Sequence, residues 1–255
     1  MESYADFAAV YDEFMEDTPY DEWAGVIADK LNKYGITDGI VADLGAGTGE
    51  MTRRLAAMGY DMIGIDNSEE MLAIAKEKGL SATDDILYLC QDMREFELYG
   101  TVRAIVSVCD CVNYILDEDE LTQVFKLCNN YLDPGGVLIF DFNTVHKYRD
   151  VIGETTIADT REDSAFIWDN FYDEDTDINE YDLTFFVKED KLYRRFEEVH
   201  LQRGYSLETM KKMLERSGLK FTEAFDADTG KAPNAESERI VIVAMECGKR
   251  ENENE

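Results

Sequence analysis

Apolar residues recur every three or four positions over Tyr4–Met15 and Tyr20–Lys33, and this spacing predicts two helices separated by Thr18-Pro19. Beyond them the pattern changes to short continuous apolar runs alternating with helical segments. Gly39–Leu44, Asp61–Ile65, Ile86–Cys90, Ala104–Val108 and Gly136–Asp141 read as strands. Between them, helices are expected with Met51, Leu55 and Met58 on one face, over Ser68–Lys78, and near Glu118–Leu132. Ser68 suits an N-cap, with Glu69 and Glu70 in the first turn, where the helix dipole favours acids. Strands that are apolar throughout are covered on both faces, so the rhythm predicts a doubly wound α/β fold with a parallel sheet.

The rhythm changes after Asn143. Between Thr155 and Arg203 the pattern predicts strands at Ala165–Tyr172, Tyr181–Val187 and Leu192–Gln202, separated by acidic, turn-like breaks. This is a small antiparallel β insertion. A helix over Ser206–Ser217, capped by Ser206 and ended by Gly218, follows it. Leu219–Phe225 and Arg239–Glu246 then return the chain to the main sheet. The expected organisation is residues 1–144 as N-terminal helices and cofactor-binding core, 145–205 as the insertion, and 206–248 as the rest of the core. Residues 249–255 form a charged, frayed tail.

Charge narrows the function. The chain has 255 residues, with 25 Lys+Arg against 56 Asp+Glu, a net charge of −31. No basic stripe can displace counterions from a phosphate backbone or an anionic lipid surface, so nucleic acid and membrane are excluded as partners. Apolar residues at 45% are enough for a sizeable core. The opening Met1-Glu2-Ser3-Tyr4 has no basic region followed by an apolar one, so no secretory signal is expected. Five cysteines without a C-x-x-C pair read as reduced thiols in a cytoplasmic protein, with no disulfide framework or zinc site. Acidic runs such as Asp117–Glu120 and Asp173–Asp177 read as solvated turns, and no metal is expected.

The main chemical signal is Asp43-Leu44-Gly45-Ala46-Gly47-Thr48-Gly49, which leaves a strand and enters a helix. Glycines permit a sharp turn and close approach of a ligand to the main chain, and the helix start offers free N–H groups. The spacing is G-x-G-x-G, against the G-x-G-x-x-G of dinucleotide sites. Asp43, at the strand end, suits a cationic ligand and disfavours a pyrophosphate. Asp66 ends the second strand 21 residues after Gly45, where an acid can hold both ribose hydroxyls. Asp92 follows the third strand, where it could accept from an adenine amino group.

This loop with its three acids resembles the class I S-adenosylmethionine-dependent methyltransferases over about Val41–Asn143. The resemblance implies S-adenosyl-L-methionine as cofactor, with Gly45, Ala46 and Gly47 as its loop. It gives Asp43 the aminoacyl end, Asp66 the ribose and Asp92 the adenine, with Asn67 and Met93 flanking the adenosine. Pro134-Gly135-Gly136 before a strand is a recurrent family feature. The final strand pair suits the family's terminal hairpin, which implies a Rossmann-like seven-stranded sheet with an antiparallel last strand. Tyr11-Asp12 is similar to a Tyr-Asp pair that closes over the cofactor in small-molecule members. The insertion is placed as in sugar N-methyltransferases and glycine N-methyltransferases, and so implies a substrate cap.

The segment Val108-Cys109-Asp110-Cys111-Val112-Asn113-Tyr114 follows the fourth strand and should line the cleft, because ligands sit at the carboxyl ends of parallel strands. It lacks the prolines of DNA amino-methyltransferases and the Pro-Cys nucleophile of pyrimidine C5 enzymes. Cys109 and Asp110 are therefore cofactor-site candidates, with the cysteines as wall residues. A small-molecule amine is the favoured acceptor. A neutral amine or a carboxylate needs no general base at the transfer step, whereas a hydroxyl usually does. His200, in the insertion, is the weak candidate for catalysis, ahead of His146. Among the aromatics, Tyr20 and Trp23 are weaker cofactor candidates. Trp168, Phe171, Tyr172, Tyr181, Phe185 and Tyr193 should divide between the insertion's faces, one roofing the cleft and the other suited to a homodimer contact. The alternatives are a nicotinamide-dependent oxidoreductase and a non-catalytic cofactor-binding regulator.

Overall fold

The computed structural model describes residues 11–78 and 86–249. Of the helix expected over Tyr4–Met15, residues 11–14 are helical, and Tyr4 and Phe7 lie outside the described residues. The first half comprises α1 (Tyr20–Lys33), β1 (Ile40–Leu44), α2 (Glu50–Ala57), β2 (Asp61–Asp66), α3 (Glu69–Lys78) and β3 (Leu87–Cys90). It continues through β4 (Val102–Ser107), α4 (Glu118–Tyr131) and β5 (Leu132–Asn143). Four strands follow: β6 (Thr156–Thr160), β7 (Ser164–Asp173), β8 (Ile178–Glu189) and β9 (Leu192–Arg203). The chain closes with α5 (Leu207–Ser217), β10 (Leu219–Asp226) and β11 (Arg239–Glu246).

The main sheet has seven strands in the order β10-β11-β5-β4-β1-β2-β3. β1 pairs in parallel with β2 and β4, β2 with β3, and β4 with β5. β11 runs antiparallel to both β5 and β10, as the terminal hairpin implied. The order reverses between β1 and β4, so the loops leaving these strands diverge and open a crevice at their carboxyl ends. Alternate residues of one strand feed opposite cores: Val41 packs with Leu31 and Leu55, and Leu44 with Phe125 and Leu214. Thus α1 and α2 cover one face while α4 and α5 cover the other.

Local signals act as expected at the caps. Ser68 Oγ accepts the Met71 N–H at 3.1 Å, Ser206 Oγ accepts that of Thr209 at 3.0 Å, and Gly218 ends α5 at φ +83°. Three local features depart from the sequence reading. β5 begins at Leu132, so Pro134-Gly135 is an irregularity within a strand: Val102 pairs with Leu132, but Ala104 with Val137. β6 has a mostly exposed, non-alternating pattern, which leaves no periodic signal. A 3₁₀ turn at Cys111–Tyr114 and a π-helical turn at Lys147–Ile152 fill connections that carried no periodicity. At the other end Lys249 is pinned, its Nζ donating to the carbonyls of Asn129 at 2.6 Å and Asn130 at 2.9 Å. Among the described residues, no helix is long and apolar enough to cross a membrane.

The β6–β9 strands form a separate antiparallel sheet. Trp168, Tyr181 and His200 share one face of it, because Tyr181 pairs directly with His200 and Trp168 with Leu183. Its face opposite carries exposed Phe171, Val199 and Leu201.

Candidate functional site

The carboxyl ends of β1, β2 and β4 and the inner face of the second sheet enclose one cleft of about 620 Å³. Small-molecule pockets run from roughly 300 to 1,000 Å³. The cofactor candidates Tyr11, Asp43, Gly45, Ala46, Gly47, Asp66, Asn67, Asp92, Met93, Cys109 and Asp110 all line it, as does His200. The floor is the glycine loop. Gly45, Gly47 and Gly49 have φ of +79°, +53° and +78°, the left-handed region that disfavours side chains. A Cβ on Gly45 would fall 2.4 Å from Cys111 Sγ, and one on Gly49 would fall 2.6 Å from the Tyr88 hydroxyl. Gly47 has nothing within 4 Å of such a position and faces the open cleft.

The three acids behave differently. Asp43 is 1% exposed and accepts from Thr52 Oγ1 at 2.6 Å. Burial pushes its carboxyl up to about 6, with the Thr52 bond opposing and the charge of Asp66 adding. Asp66 is half-buried, and its carboxylate accepts the Gly47 N–H at 2.8 Å and the Ser68 N–H at 2.9 Å. Burial raises Asp66 too, against those backbone donors. Asp92 is held by Arg94, whose Nε lies 3.0 Å from each carboxylate oxygen, and this bond keeps its carboxyl below the ordinary range. Arg94 also lines the cleft.

The helical turn at 11–14 is fastened to the glycine loop. Asp12 accepts from Thr48 Oγ1 at 2.6 Å and pairs with Lys78 at 2.5 Å. Lys78 also pairs with Glu50 at 2.7 Å. Burial alone would raise Glu50, but Lys78 and Arg54 overcome it and hold the carboxyl at about 2. Tyr11 and Tyr20 share a hydrogen bond and both line the cleft. Trp23 does not line it; its ring lies 5.5 Å from the Arg239 guanidinium.

After β4 the chain turns sharply, with Cys109 and Asp110 at φ +67° and +53°. Asp141, on β5, accepts the Cys109 N–H at 3.2 Å and the Asp110 N–H at 2.8 Å. Arg239 bridges Asp141 at 2.7 Å and Asp110 at 2.5 Å. The other Asp110 oxygen accepts from Gln202 Nε2 at 2.7 Å, and Gln202 Oε1 accepts from Tyr148 at 2.6 Å. Arg239, Gln202 and Lys147 line the cleft, yet the sequence reading missed them. Gln202 shares the strand parity of His200, which was the one signal for it.

Both cleft thiols are protonated. Burial, with Asp110 nearby, pushes Cys109 up to about 12, and burial raises Cys111 well above the ordinary thiol value. Neither is poised as a nucleophile. Asn113, expected to line the cleft, is fully buried instead. Its side chain bonds the Asn143 backbone N–H at 2.9 Å and carbonyl at 2.9 Å, tying the end of β5 to the turn. His146 does not line the cleft either and sits 2.9 Å from Asp150. His200 is 8% exposed, its ring centroid 5.9 Å from that of Tyr114, and burial lowers its pKa. Trp168 stands edge-on to Tyr181 at 4.6 Å, and its buried Nε1 has no hydrogen-bond partner among the described residues.

A methyltransferase-domain family model matches residues 41–136. The chain is similar to YqeM of Bacillus subtilis, whose methyltransferase name is itself provisional, at 38% identity over 95% of this chain and 96% of that one. An S-adenosylmethionine-dependent methyltransferase from Clostridium acetobutylicum superposes with a TM-score of 0.87 at 30% identity, covering 96% of this chain and 99% of that one. The sugar N-methyltransferase KedS8 from Streptoalloteichus shares the fold, with a TM-score of 0.75 at 21% identity over 91% and 92% of the two chains.

Proposed function

Given that this chain belongs to the S-adenosylmethionine-dependent methyltransferases, we propose that it methylates an amine of a small molecule. Family membership removes the nicotinamide-dependent and non-catalytic alternatives. The residues present fit the cofactor: an open backbone cradle at Gly47, with Asp43 and Asp66 lining the same cleft at the ends of β1 and β2. When bound, S-adenosylmethionine supplies an electrophilic methyl group on a sulfonium.

In this reading Asp66 takes the ribose hydroxyls, keeping the Gly47 and Ser68 N–H bonds that already orient it. Asp43 supplies negative charge towards the sulfonium end. A cationic ligand lowers its pKa and restores the carboxylate that burial opposes. Asp92 meets an adenine amino group while Arg94 fixes its carboxylate. Tyr11 and Tyr20 exclude water beside Cys109 and Asp110.

One observation carries the acceptor assignment. The cleft runs without interruption from the glycine loop to the inner face of the second sheet, where His200 lies against Tyr114. An enclosed cleft holds a small acceptor behind a methyl group, and orientation of this kind supplies several kcal/mol. An ammonium must lose its proton to expose a lone pair; His200, kept neutral by burial, is placed to take it. The N-methyltransferase among the fold relatives supports nitrogen as the acceptor atom. A polymeric nucleic acid suits neither this enclosure nor a charge of −31. Reduced cysteines suit the cytoplasm, and the outer face around Val199 and Leu201 is the surface for a homodimer contact, to be read by sedimentation. Mass spectrometry of products from a panel of amines, carboxylates and alcohols tests the proposal. N-methylation is expected, and turnover confined to oxygen acceptors would overturn it.

A further inference from the structure

At the acceptor end of the cleft, hydrogen-bonding capacity is unevenly spent. Asp110 is the one acid lining this end among the described residues, and both its oxygens are taken, by Arg239 and Gln202. Arg239 is itself spent on Asp110 and Asp141. The donors are not used up. Lys147 lines the cleft half-buried, and its Nζ donates to Asn143 Oδ1 at 3.0 Å; among the described residues no carboxylate lies within ion-pair distance. An ammonium has three N–H groups, so at least one stays available. Trp168 lines the same cleft, and its buried indole N–H has no partner among the described residues. Both groups line the same cleft as Tyr181, whose ring lies 4.6 Å from that of Trp168.

We infer that the acceptor molecule carries an oxyanion, a carboxylate or a phosphate, and that Lys147 and the Trp168 N–H bind it. A buried donor without a partner costs free energy, and a half-buried ammonium outside ion-pair distance of every described carboxylate is left incompletely compensated. An oxyanion in this cleft supplies the acceptor atoms that both groups lack. Burial, with the Arg239 charge nearby, lowers the Lys147 pKa against the opposing charges of Asp110, Glu238 and Asp141, and an anion at this point would oppose that shift further. The substrate is thus an amine that also bears an anionic group, and this refinement rests on the second sheet being the acceptor site.

Calorimetry on the full chain loaded with S-adenosylhomocysteine tests it, with inorganic phosphate and acetate titrated separately at ionic strength fixed by chloride. Saturable binding of one anion is expected, phosphate alone marking a phosphate-bearing acceptor and acetate alone a carboxylate. K147M should weaken it by about tenfold or more, as expected for a charge-assisted hydrogen bond. W168F should weaken it less, and K147R should restore it. S-adenosylhomocysteine affinity, measured in each variant, confirms an intact fold. No saturation by either anion, or K147M binding as the wild type does, would overturn the inference. The titration involves no methyl transfer, so it fails or succeeds independently of amine methylation.

Discussion

Arg239, on the antiparallel last strand, donates to Asp141 on β5 at 2.7 Å, and Asp141 in turn holds the backbone of the Cys109–Asp110 turn. The register makes this contact: Arg239 pairs with Asn143, which puts Asp141 two residues along the neighbouring strand. The Arg239 and Asp141 side chains are 14% and 5% exposed, so removing the cation leaves charge buried without compensation. Arg239→Met should therefore cost about 3–5 kcal/mol, the range for breaking a buried pair from one side. Denaturant titration reads the loss. An unchanged midpoint would mean the pair is replaced by water.

Asp66 should carry a measurable share of cofactor binding. Asp66→Ala removes a carboxylate that also organises Gly47, and hydrogen bonds to charged groups are worth about 1.5–3 kcal/mol. S-adenosylhomocysteine affinity should fall by roughly ten- to 150-fold in calorimetry. An unchanged dissociation constant would remove Asp66 from the ribose site.

Asp43 predicts a pH effect of defined sign. Its folded pKa of about 6 exceeds the ordinary 3.8, so the native state binds more protons between those values. Stability contributed by this group is present at low pH and is lost as pH rises from about 4 through about 6. The shift corresponds to something on the order of 3 kcal/mol. Asp43→Asn should flatten the stability–pH curve of the ligand-free protein over that window. S-adenosylmethionine affinity should rise through the same window in the wild type only.

The Thr48–Asp12 bond fastens the 11–14 turn to the glycine loop. Thr48→Val removes one neutral-to-charged hydrogen bond without changing side-chain shape. S-adenosylhomocysteine should dissociate several-fold faster in stopped flow, with a stability change of about 1 kcal/mol. An unaltered off-rate would confine the bond to a structural role.

If His200 takes the proton from an ammonium, His200→Gln should lower turnover most at low pH and least at high pH, where the amine is already free. A uniform loss across the pH–rate profile would instead mark a packing role against Tyr114.

The glycine loop and its acids were legible because they are local. A strand, a tight turn and a helix start must be adjacent in the chain, and Gly45, Gly47 and Gly49 all adopt the left-handed backbone that their type permits. Tyr11 was legible only through its resemblance to a known pair. Asn113 was misplaced because position after a strand predicts nearness to the cleft and not side-chain direction; a 3₁₀ turn rotates it into the core. Likewise Asp92 could be located from the sequence, but its pairing with Arg94 depends on a loop without periodicity.

By itself the sequence determined the alternation of strands and helices, the antiparallel insertion, the strongly acidic net charge and the line of acids along three strand ends. Each follows from periodicity, turn chemistry or charge, which act over a few residues or over the whole surface. Only the tertiary structure decided that Arg239 joins Asp110 to Asp141, that Gln202 reaches the same turn, and that Lys147 and Trp168 keep donors unspent in the cleft. Those relations join residues from the turn after β4, from β5, β7, β9 and β11, and from the π-helical turn that starts at Lys147. Periodicity assigns each residue a face, but sheet register and the packing of one sheet against the other choose its partner.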